Sequence, residues 1–240
     1  MALVTGGAGH LGSAFVRALV AADADVAIAY HSGQEAAEKL VAEAHADGRR
    51  ALAVQADLRD PAAAEALVDS VAEHLGAVDV LIANAGAGQT RSWEEVAAAE
   101  FDEALQINLT APYVMARRAL PKMIERSWGR VLFVSSVAAF AGGPFGPDYS
   151  ASKAALHGLT HYLAPQVGRH GVTVNVLAPA LVGEHSVALM DEDTGRAFTG
   201  AIPVGRLGDT DELAAFAVAM LNNGYLTNKV VSVDGGLLPC

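Results

Sequence analysis

Short apolar segments rich in Val, Ile, Leu and Ala recur along the chain and alternate with longer, Ala-rich segments. Each short segment spans only a few residues and is nearly free of charge, which is typical of parallel strands buried on both faces. The predicted strands are Ala2–Thr5, Asp25–Tyr30, Ala51–Gln55, Val78–Ala83, Arg130–Ser135, Thr173–Ala178 and Lys229–Val233.

The longer segments repeat their apolar positions at helical spacing. The predicted helices are Ser13–Ala22, Gln34–Asp47, Pro61–Leu75, Phe101–Arg126 and Asp211–Asn222. Repeated strand–helix units of this kind predict an α/β fold, a Rossmann-type doubly wound parallel sheet of about seven strands with helices on both faces. Because no linker, internal repeat or low-complexity tract interrupts the pattern, we expect a single domain over residues 1–240.

The composition of the chain restricts which binding partners and which cellular compartment we expect. The formal net charge of −11 argues against a nucleic-acid partner, which would require a basic face. The 52% hydrophobic content predicts a large core, extensive subunit contacts, or both. Cys240 is the single cysteine, so no intrachain disulfide is possible. With neither a signal peptide nor a membrane-spanning run in the sequence, we expect a cytoplasmic protein.

A glycine-rich segment follows the first predicted strand, where a doubly wound sheet binds its ligands. Gly7, Gly9 and Gly12 fit the pattern G-x-G-x-x-G. In a second frame, T-G-x-x-x-G-x-G, Thr5 and Gly6 also match but His10 stands where the middle glycine should be. Free amides at the start of the next helix could bind a pyrophosphate. The alternative is an ordinary strand-to-helix turn.

The residues after the second and third strands bear on cofactor choice. No acidic residue occurs between Asp25 and Gln34, although enzymes that select NAD usually place one there. His31 and Ser32 could instead donate to the 2′-phosphate of NADP. NADP(H) is therefore favoured over NAD(H), with a plain surface turn as the alternative. Asp57 has no evident structural role and is a candidate acceptor for the adenine amino group.

A second cluster of candidate residues follows the fifth predicted strand. Ser136 lies at the strand end, and Tyr149 and Lys153 follow a Gly- and Pro-rich loop. Four residues apart on one helix, Tyr149 and Lys153 share a face. A nearby ammonium lowers the pKa of a phenol, so we expect Tyr149 to exchange a proton with a carbonyl or alcohol oxygen that Ser136 also binds.

With these motifs in order and at consistent spacing, the chain resembles a compact short-chain dehydrogenase/reductase over essentially its whole length. Its C-terminal region is similar to 3-oxoacyl-ACP reductase-like members. The matching positions are Thr5-Gly6 with Gly12, Asp57-Leu58, Asn84-Ala85-Gly86, Asn108, Ser136, Tyr149 with Lys153, Asn175 with Pro179, and Val233-Asp234-Gly235-Gly236.

The resemblance implies a catalytic tetrad of Asn108, Ser136, Tyr149 and Lys153. It implies that Tyr149 is the general acid or base, that Lys153 lowers the Tyr149 pKa and holds the nicotinamide ribose, and that Asn108 keeps a water in a proton relay. It also implies a homotetramer or homodimer built partly through the helix that carries Tyr149 and through the C-terminal strand. No metal is expected. The implied cofactor-binding residues are Gly6, Gly9, His10, Leu11, Gly12, His31, Ser32, Asp57, Leu58, Asn84, Ala85, Gly86, Tyr149, Lys153, Pro179, Ala180 and Val182.

Several positions depart from the family pattern. His10 replaces the family's middle glycine, where pteridine reductases carry an arginine, and this likeness implies that His10 faces the 2′-phosphate end of NADP with His31 and Ser32. Ala180 replaces a glycine, and Glu184 replaces the threonine that usually contacts the nicotinamide carboxamide. The acidic segment from about residue 184 to 200 is the expected substrate loop. Pro165 should shorten or kink the predicted helix that carries Tyr149.

From the motifs together we expect an NADP(H)-dependent ketoreductase acting on a small-molecule carbonyl or alcohol. The alternatives are an NAD-dependent alcohol dehydrogenase and a catalytically idle nucleotide-binding protein.

Overall fold

Seven parallel strands form the centre of the structure, a computed structural model that describes residues 1–188 and 190–239. The strand order is β3-β2-β1-β4-β5-β6-β7, as expected for a doubly wound sheet. Cys240, and Leu189 within the expected substrate loop, lie outside the described residues. The strands are β1 (Ala2–Thr5), β2 (Val26–Tyr30), β3 (Ala51–Gln55), β4 (Val80–Ala83), β5 (Gly129–Val134), β6 (Val172–Pro179) and β7 (Val230–Val233).

Helices connect the strands and cover both faces of the sheet, which confirms the predicted fold class. Across the described ranges they are α1 (His10–Ala21), α2 (Gln34–Ala46), α3 (Pro61–His74), α4 (Ala98–Leu105), α5 (Ala111–Glu125), α6 (Ala138–Ala141), α7 (Pro147–Val167), α8 (Gly183–Val187), α9 (Glu192–Ala201) and α10 (Thr210–Asn222).

Alternate residues of each strand contribute to two separate hydrophobic layers. In β1, Leu3 packs with the layer formed by α3, α5 and α7. Its neighbours Ala2 and Val4 pack with the layer formed by α1, α2 and α10. Successive strand side chains point to opposite faces, so a strand covered on both sides must be apolar throughout. This is the physical reason for the uninterrupted apolar segments of the sequence.

The helix predicted over Phe101–Arg126 is interrupted by a π-helical segment at Gln106–Thr110, which separates α4 from α5. Pro112 lacks the amide that would bond to the Asn108 carbonyl in a regular α-helix, which favours a wider turn there. The turn places Asn108 in the interior, with no exposed surface.

Helix α7 begins with Pro147 in its first turn and ends at Val167, two residues beyond Pro165, so the expected effect of Pro165 stays a prediction. Another expectation needs correction. The expected substrate loop contains two helices, α8 and α9. In the part of the chain that the structure describes, no helix has both the length and the apolar character needed to cross a bilayer.

Candidate active site

Two adjoining cavities lie at the carboxyl ends of the strands. Cavity A, about 420 Å³, is lined by residues that follow β1, β2, β3 and β4. Cavity B, about 330 Å³, is lined by residues that follow β5 and β6 and by parts of α1, α7 and α8. Gly86 lines both cavities, so they meet beside the end of β4.

Eight of the seventeen predicted cofactor-binding residues meet in cavity A. The set combines the glycine loop with the ends of three neighbouring strands, which the sheet order brings to one edge. From the predicted set, cavity A is lined by Gly6, Gly9, His31, Ser32, Asp57, Leu58, Ala85 and Gly86.

The glycine loop has the form of a phosphate cradle. Helix α1 follows Gly9 directly, with no side chain capping its first turn and no acidic residue in that turn. The amides of a first turn lack intrahelical acceptors and attract an anion, so this segment fits a pyrophosphate.

Gly12 and Asn84 hold this loop in place instead of lining either cavity. A Cβ on Gly12 would overlap the carbonyl of Gly6, so only glycine permits this packing. The Asn84 side chain donates to the carbonyl oxygens of Thr5 at 3.0 Å and Gly6 at 3.3 Å. Both residues therefore brace the loop, and their contact with the cofactor stays a prediction.

The prediction that His10 faces the 2′-phosphate end beside His31 and Ser32 is wrong. His10 and Leu11 line cavity B, whereas His31 and Ser32 line cavity A. The His10 ring lies against Gly183, where a Cβ would overlap Nε2, and 5.9 Å from the ring centre of His185. As the first residue of α1, His10 extends its side chain towards α8 instead of β2.

Asp57 also has a structural partner that the sequence analysis missed. Its carboxylate accepts hydrogen bonds from the Arg59 side chain at 2.5–3.0 Å and from the Arg59 backbone amide. These bonds, the side-chain bond foremost, lower the pKa of Asp57 to about 2. Asp60, by contrast, caps α3 through the amide of Ala62, as its position before Pro61 suggests.

Ser136 and Tyr149 share cavity B, where a substrate oxygen could reach both hydroxyls. Burial raises the pKa of Tyr149, and hydrogen bonding with Ser136 offsets part of that rise. The Tyr149 ring packs 5.1 Å from the ring centre of Phe145 and so closely on Gly88 that a Cβ there would lie within 3.0 Å of it. The phenol is therefore held in one position and keeps its proton at neutral pH.

Lys153 lies beneath Gly86, where a Cβ would come 2.9 Å from Nζ. The side chain is buried, and its Nζ donates to the carbonyl oxygen of Val134 at 2.8 Å. Burial lowers the Lys153 pKa to about 8. The expectation that Lys153 lowers the Tyr149 pKa is not met in this structure, because burial of the phenol dominates.

Asn108 links the π-helical segment to two other parts of the site. Its Oδ1 accepts from the Ala87 amide and its Nδ2 donates to the Ala87 carbonyl, both at 2.9 Å. Nδ2 also donates to Ser152 Oγ at 2.9 Å, and Ser152 in turn donates to the Tyr149 carbonyl. Since the amide side chain is occupied in this way, any water held by Asn108 would depend on its main chain.

Residues after β6 complete cavity B. Ala180 and Val182 line it, while Pro179 is buried at the strand end. Glu184 is exposed and lines a groove beside α9 instead of cavity B, so its contact with the carboxamide stays a prediction. Because Glu184 lies in the first turn of α8, its neighbours His185 and Ser186 line cavity B instead.

The sequence analysis missed several lining residues. Arg59 and Glu103 line cavity A, and Arg59 could have been noticed two positions after Asp57. Only the fold reveals the apolar wall of cavity B, because its residues come from distant segments. That wall includes Phe145, Leu181, Met190, Phe198 and Leu237.

Comparisons with known proteins agree with this architecture. Residues 1–194 match the protein family described as short chain dehydrogenase. The chain is 34% identical over 240 residues to Nodulation protein G of Azospirillum brasilense, covering 99% of this chain and 97% of that protein. It is 30% identical over 241 residues to a 3-oxoacyl-(acyl-carrier-protein) reductase of Aquifex aeolicus, with 99% and 96% coverage.

Among solved structures, the chain is similar to that of a blue fluorescent protein from a metagenomic library in complex with NADPH. The TM-score is 0.85 at 35% identity, with 98% of this chain and 96% of that chain covered. These similarities confirm the resemblance indicated by the sequence motifs.

Proposed function

Because the chain belongs to the short-chain dehydrogenase/reductase family of oxidoreductases, we propose that it is an NADP(H)-dependent ketoreductase with Tyr149 as its general acid. One observation carries the proposal: Tyr149 and Ser136 share a cavity in which burial raises the pKa of the phenol. Reduction of a carbonyl requires a proton donor at the oxygen, and a phenol that keeps its proton meets that requirement.

The cofactor would lie along the two cavities. Gly6, Gly9 and the first-turn amides of α1 would bind the pyrophosphate, with the adenosine end in cavity A. Lys153, beneath Gly86 where the cavities meet, would bind the nicotinamide ribose. When bound, the nicotinamide ring supplies or accepts the hydride at the substrate carbon.

The residues of cavity B would act on the substrate oxygen. Ser136 would orient this oxygen by a hydrogen bond, and Tyr149 would donate its proton to it as the alcohol forms. The Asn108–Ser152 hydrogen bond fixes the turn of α7 that carries Tyr149, which keeps the phenol aligned. In the oxidative direction the same groups would remove the alcohol proton.

Preference for NADP(H) is supported by the groups at the end of β2. His31 and Ser32 line cavity A, and both can donate hydrogen bonds to a phosphate. The carboxylate beside them, Asp57, is already bonded to Arg59 and is less available to a ribose hydroxyl. The solved relative in complex with NADPH gives independent support.

An absorbance assay of cofactor oxidation tests this function. The protein is mixed with NADPH or NADH and with uncharged ketones such as cyclohexanone and ethyl acetoacetate. We expect ketone-dependent oxidation, with a higher kcat/KM for NADPH than for NADH. A higher value for NADH would favour the NAD-dependent dehydrogenase, and cofactor binding without turnover would favour the idle nucleotide-binding protein.

We also propose that residues 1–240 act as one dinucleotide-binding and catalytic unit that assembles into a homotetramer or homodimer. Tyr162 on α7 is 69% exposed and Tyr113 on α5 is 40% exposed, an unusual exposure for large aromatic side chains. Light scattering would test the assembly, and a monomer mass for the parent protein would contradict it.

A further inference from the structure

We propose that cavity B takes a free, uncharged and largely apolar ketone, and that its surroundings select against the same ketone on an anionic carrier such as coenzyme A. The inference rests on the proposed ketoreductase function and specifies the substrate class of the same site. It depends on three features: the lining of the cavity, the acidic surface next to it, and the pairing of the nearby arginines.

Besides Ser136 and Tyr149, the polar side chains that line cavity B are Ser186 and the imidazoles of His10 and His185, and most of the remaining lining is apolar. Among its described lining residues there is no Asp, Glu, Lys or Arg. Phe145 and Phe198 contribute aromatic surface, and Met190 and Leu237 contribute aliphatic surface. At about 330 Å³ the cavity is near the lower end of the range for ligand sites, which suits a compact substrate.

The two imidazoles in this cavity lie on the side of the cofactor loop. His10 begins α1, immediately after the glycine loop, and its ring contacts Gly183. His185 lies 5.9 Å from His10, between ring centres. This position next to the phosphate cradle assigns the pair to the cofactor side, and the apolar wall remains for the substrate.

Helix α9 has an apolar side towards the cavity and an acidic surface outside it. Phe198 lines cavity B, whereas Asp191 and Glu192 line the neighbouring outer groove together with Glu184. The side chains of Glu192 and Asp193 are 84% and 91% exposed. Hydrogen bonds from Thr194 lower the pKa of Asp191, so this carboxylate is also ionised at neutral pH.

Two arginines that line neighbouring surface cavities, Arg196 and Arg91, are bonded to carboxylates. Arg196 bonds to Glu192 at 2.7 Å and to Asp193 at 2.6 Å. Arg91 lines a shallow cavity that shares Phe198 with cavity B, and it bonds to Glu100 at 2.5 Å. Both guanidiniums are therefore already paired with carboxylates, which weakens the positive charge available to a carrier phosphate.

The charge balance therefore opposes an anionic carrier. The segment from 184 to 201 contains four carboxylates, Glu184, Asp191, Glu192 and Asp193, against the single guanidinium of Arg196. Negative charges at the rim of a site slow the association of an anionic ligand and make its rate depend on salt concentration. An uncharged ketone is not affected by this repulsion and gains from burial in the apolar cavity.

The test compares two substrates with the same reacting group. Acetoacetyl-coenzyme A and the acetoacetyl thioester of N-acetylcysteamine carry an identical ketone, but only the first has an anionic carrier. With NADPH at low salt, we expect kcat/KM for the uncharged thioester to be at least about tenfold higher, and added salt to narrow the gap. An equal or higher value for the coenzyme A thioester would overturn the inference while leaving the ketoreductase proposal intact.

A double variant, Glu192→Gln with Asp193→Asn, tests the origin of the discrimination. It removes two rim charges and frees Arg196, so kcat/KM for acetoacetyl-coenzyme A should rise about three- to tenfold with little change for the uncharged thioester. The matched control is Asp47→Asn with Glu73→Gln, two exposed carboxylates near the C-terminal ends of α2 and α3, at the opposite edge of the sheet. The control variant should leave the ratio of the kcat/KM values for the two thioesters unchanged.

If kcat/KM for acetoacetyl-coenzyme A changed equally in both double variants, the discrimination against the anionic carrier could not be assigned to the acidic surface of α9. Failure of every ketone and thioester to oxidise NADPH would instead overturn the proposed function, and the substrate inference with it.

Discussion

The side-chain nitrogen of Lys153 lies 2.8 Å from the carbonyl oxygen of Val134, at the end of β5, and 5.8 Å from the centre of the Tyr149 ring. The bond to Val134 ties Lys153 to the sheet beneath the point where the two cavities meet. Burial lowers the pKa of the lysine and raises that of the tyrosine. Both shifts favour the uncharged groups, and a protonated phenol suits the reductive direction.

The lowered pKa of Lys153 predicts a pH effect on folding stability. Its value falls from 10.5 to about 8, so between these limits an unfolded chain binds a proton that the folded chain does not. The contribution of Lys153 to the free energy of unfolding should therefore rise as the pH increases through this window. Melting temperatures of the parent and Lys153→Met, measured at about pH 7.5 and about pH 9.5 without cofactor, test this.

The parent should gain in melting temperature relative to Lys153→Met at the higher pH. The raised pKa of Tyr149 acts in the opposite direction only above its ordinary value of 10, outside the measured window. A difference in melting temperature between the parent and Lys153→Met that stays constant with pH would contradict the buried position of the Lys153 amine.

The bonds of Asn108 predict a loss of stability on substitution. Asn108→Ala removes three hydrogen bonds and leaves the amide and carbonyl of Ala87 without partners. We expect a loss of about 2–4 kcal/mol in the free energy of unfolding, because Asn108 is fully buried and each of the three bonds contributes about 1 kcal/mol. Ser152→Ala, which removes one of these bonds, should cost about 1 kcal/mol in the same urea titration. Equal losses for both variants would argue against this network.

The separation of His10 from His31 predicts different effects on cofactor choice. His31→Ala should raise KM for NADPH about tenfold and leave KM for NADH within about twofold, because only NADPH carries the 2′-phosphate. His10→Gly should leave the ratio of kcat/KM for NADPH and NADH unchanged, since His10 lines cavity B. Steady-state kinetics with both cofactors measures this, and a changed ratio in His10→Gly would restore the role first expected of that residue.

Much of the fold could be predicted because strand burial leaves a direct trace in the sequence. The strands β1 and β3 have the predicted bounds, Ala2–Thr5 and Ala51–Gln55. The helix break at Gln106–Thr110 could not be predicted from periodicity, because the residues remain helical and only the hydrogen-bond spacing changes. Helices α8 and α9 were missed because their composition is that of a polar loop.

The predicted site residues could be placed on the correct edge of the sheet, but their orientation and partners could not. The family resemblance put His10 beside His31, whereas the direction of α1 carries its ring towards Gly183. Sequence motifs could not reveal that Arg59 binds Asp57 or that Lys153 binds Val134. These contacts depend on burial and on chain segments far apart in sequence.

The proton-donor role of Tyr149 is the central claim, and the most direct measurement pairs cofactor binding with turnover in Tyr149→Phe. Fluorescence titration with NADPH should give a Kd within about twofold of the parent, because the substitution removes only the hydroxyl. Reduction of cyclohexanone should fall by about 10²–10⁴-fold in kcat, the usual contribution of a general acid. Unchanged Kd together with kcat within about threefold of the parent would contradict the account.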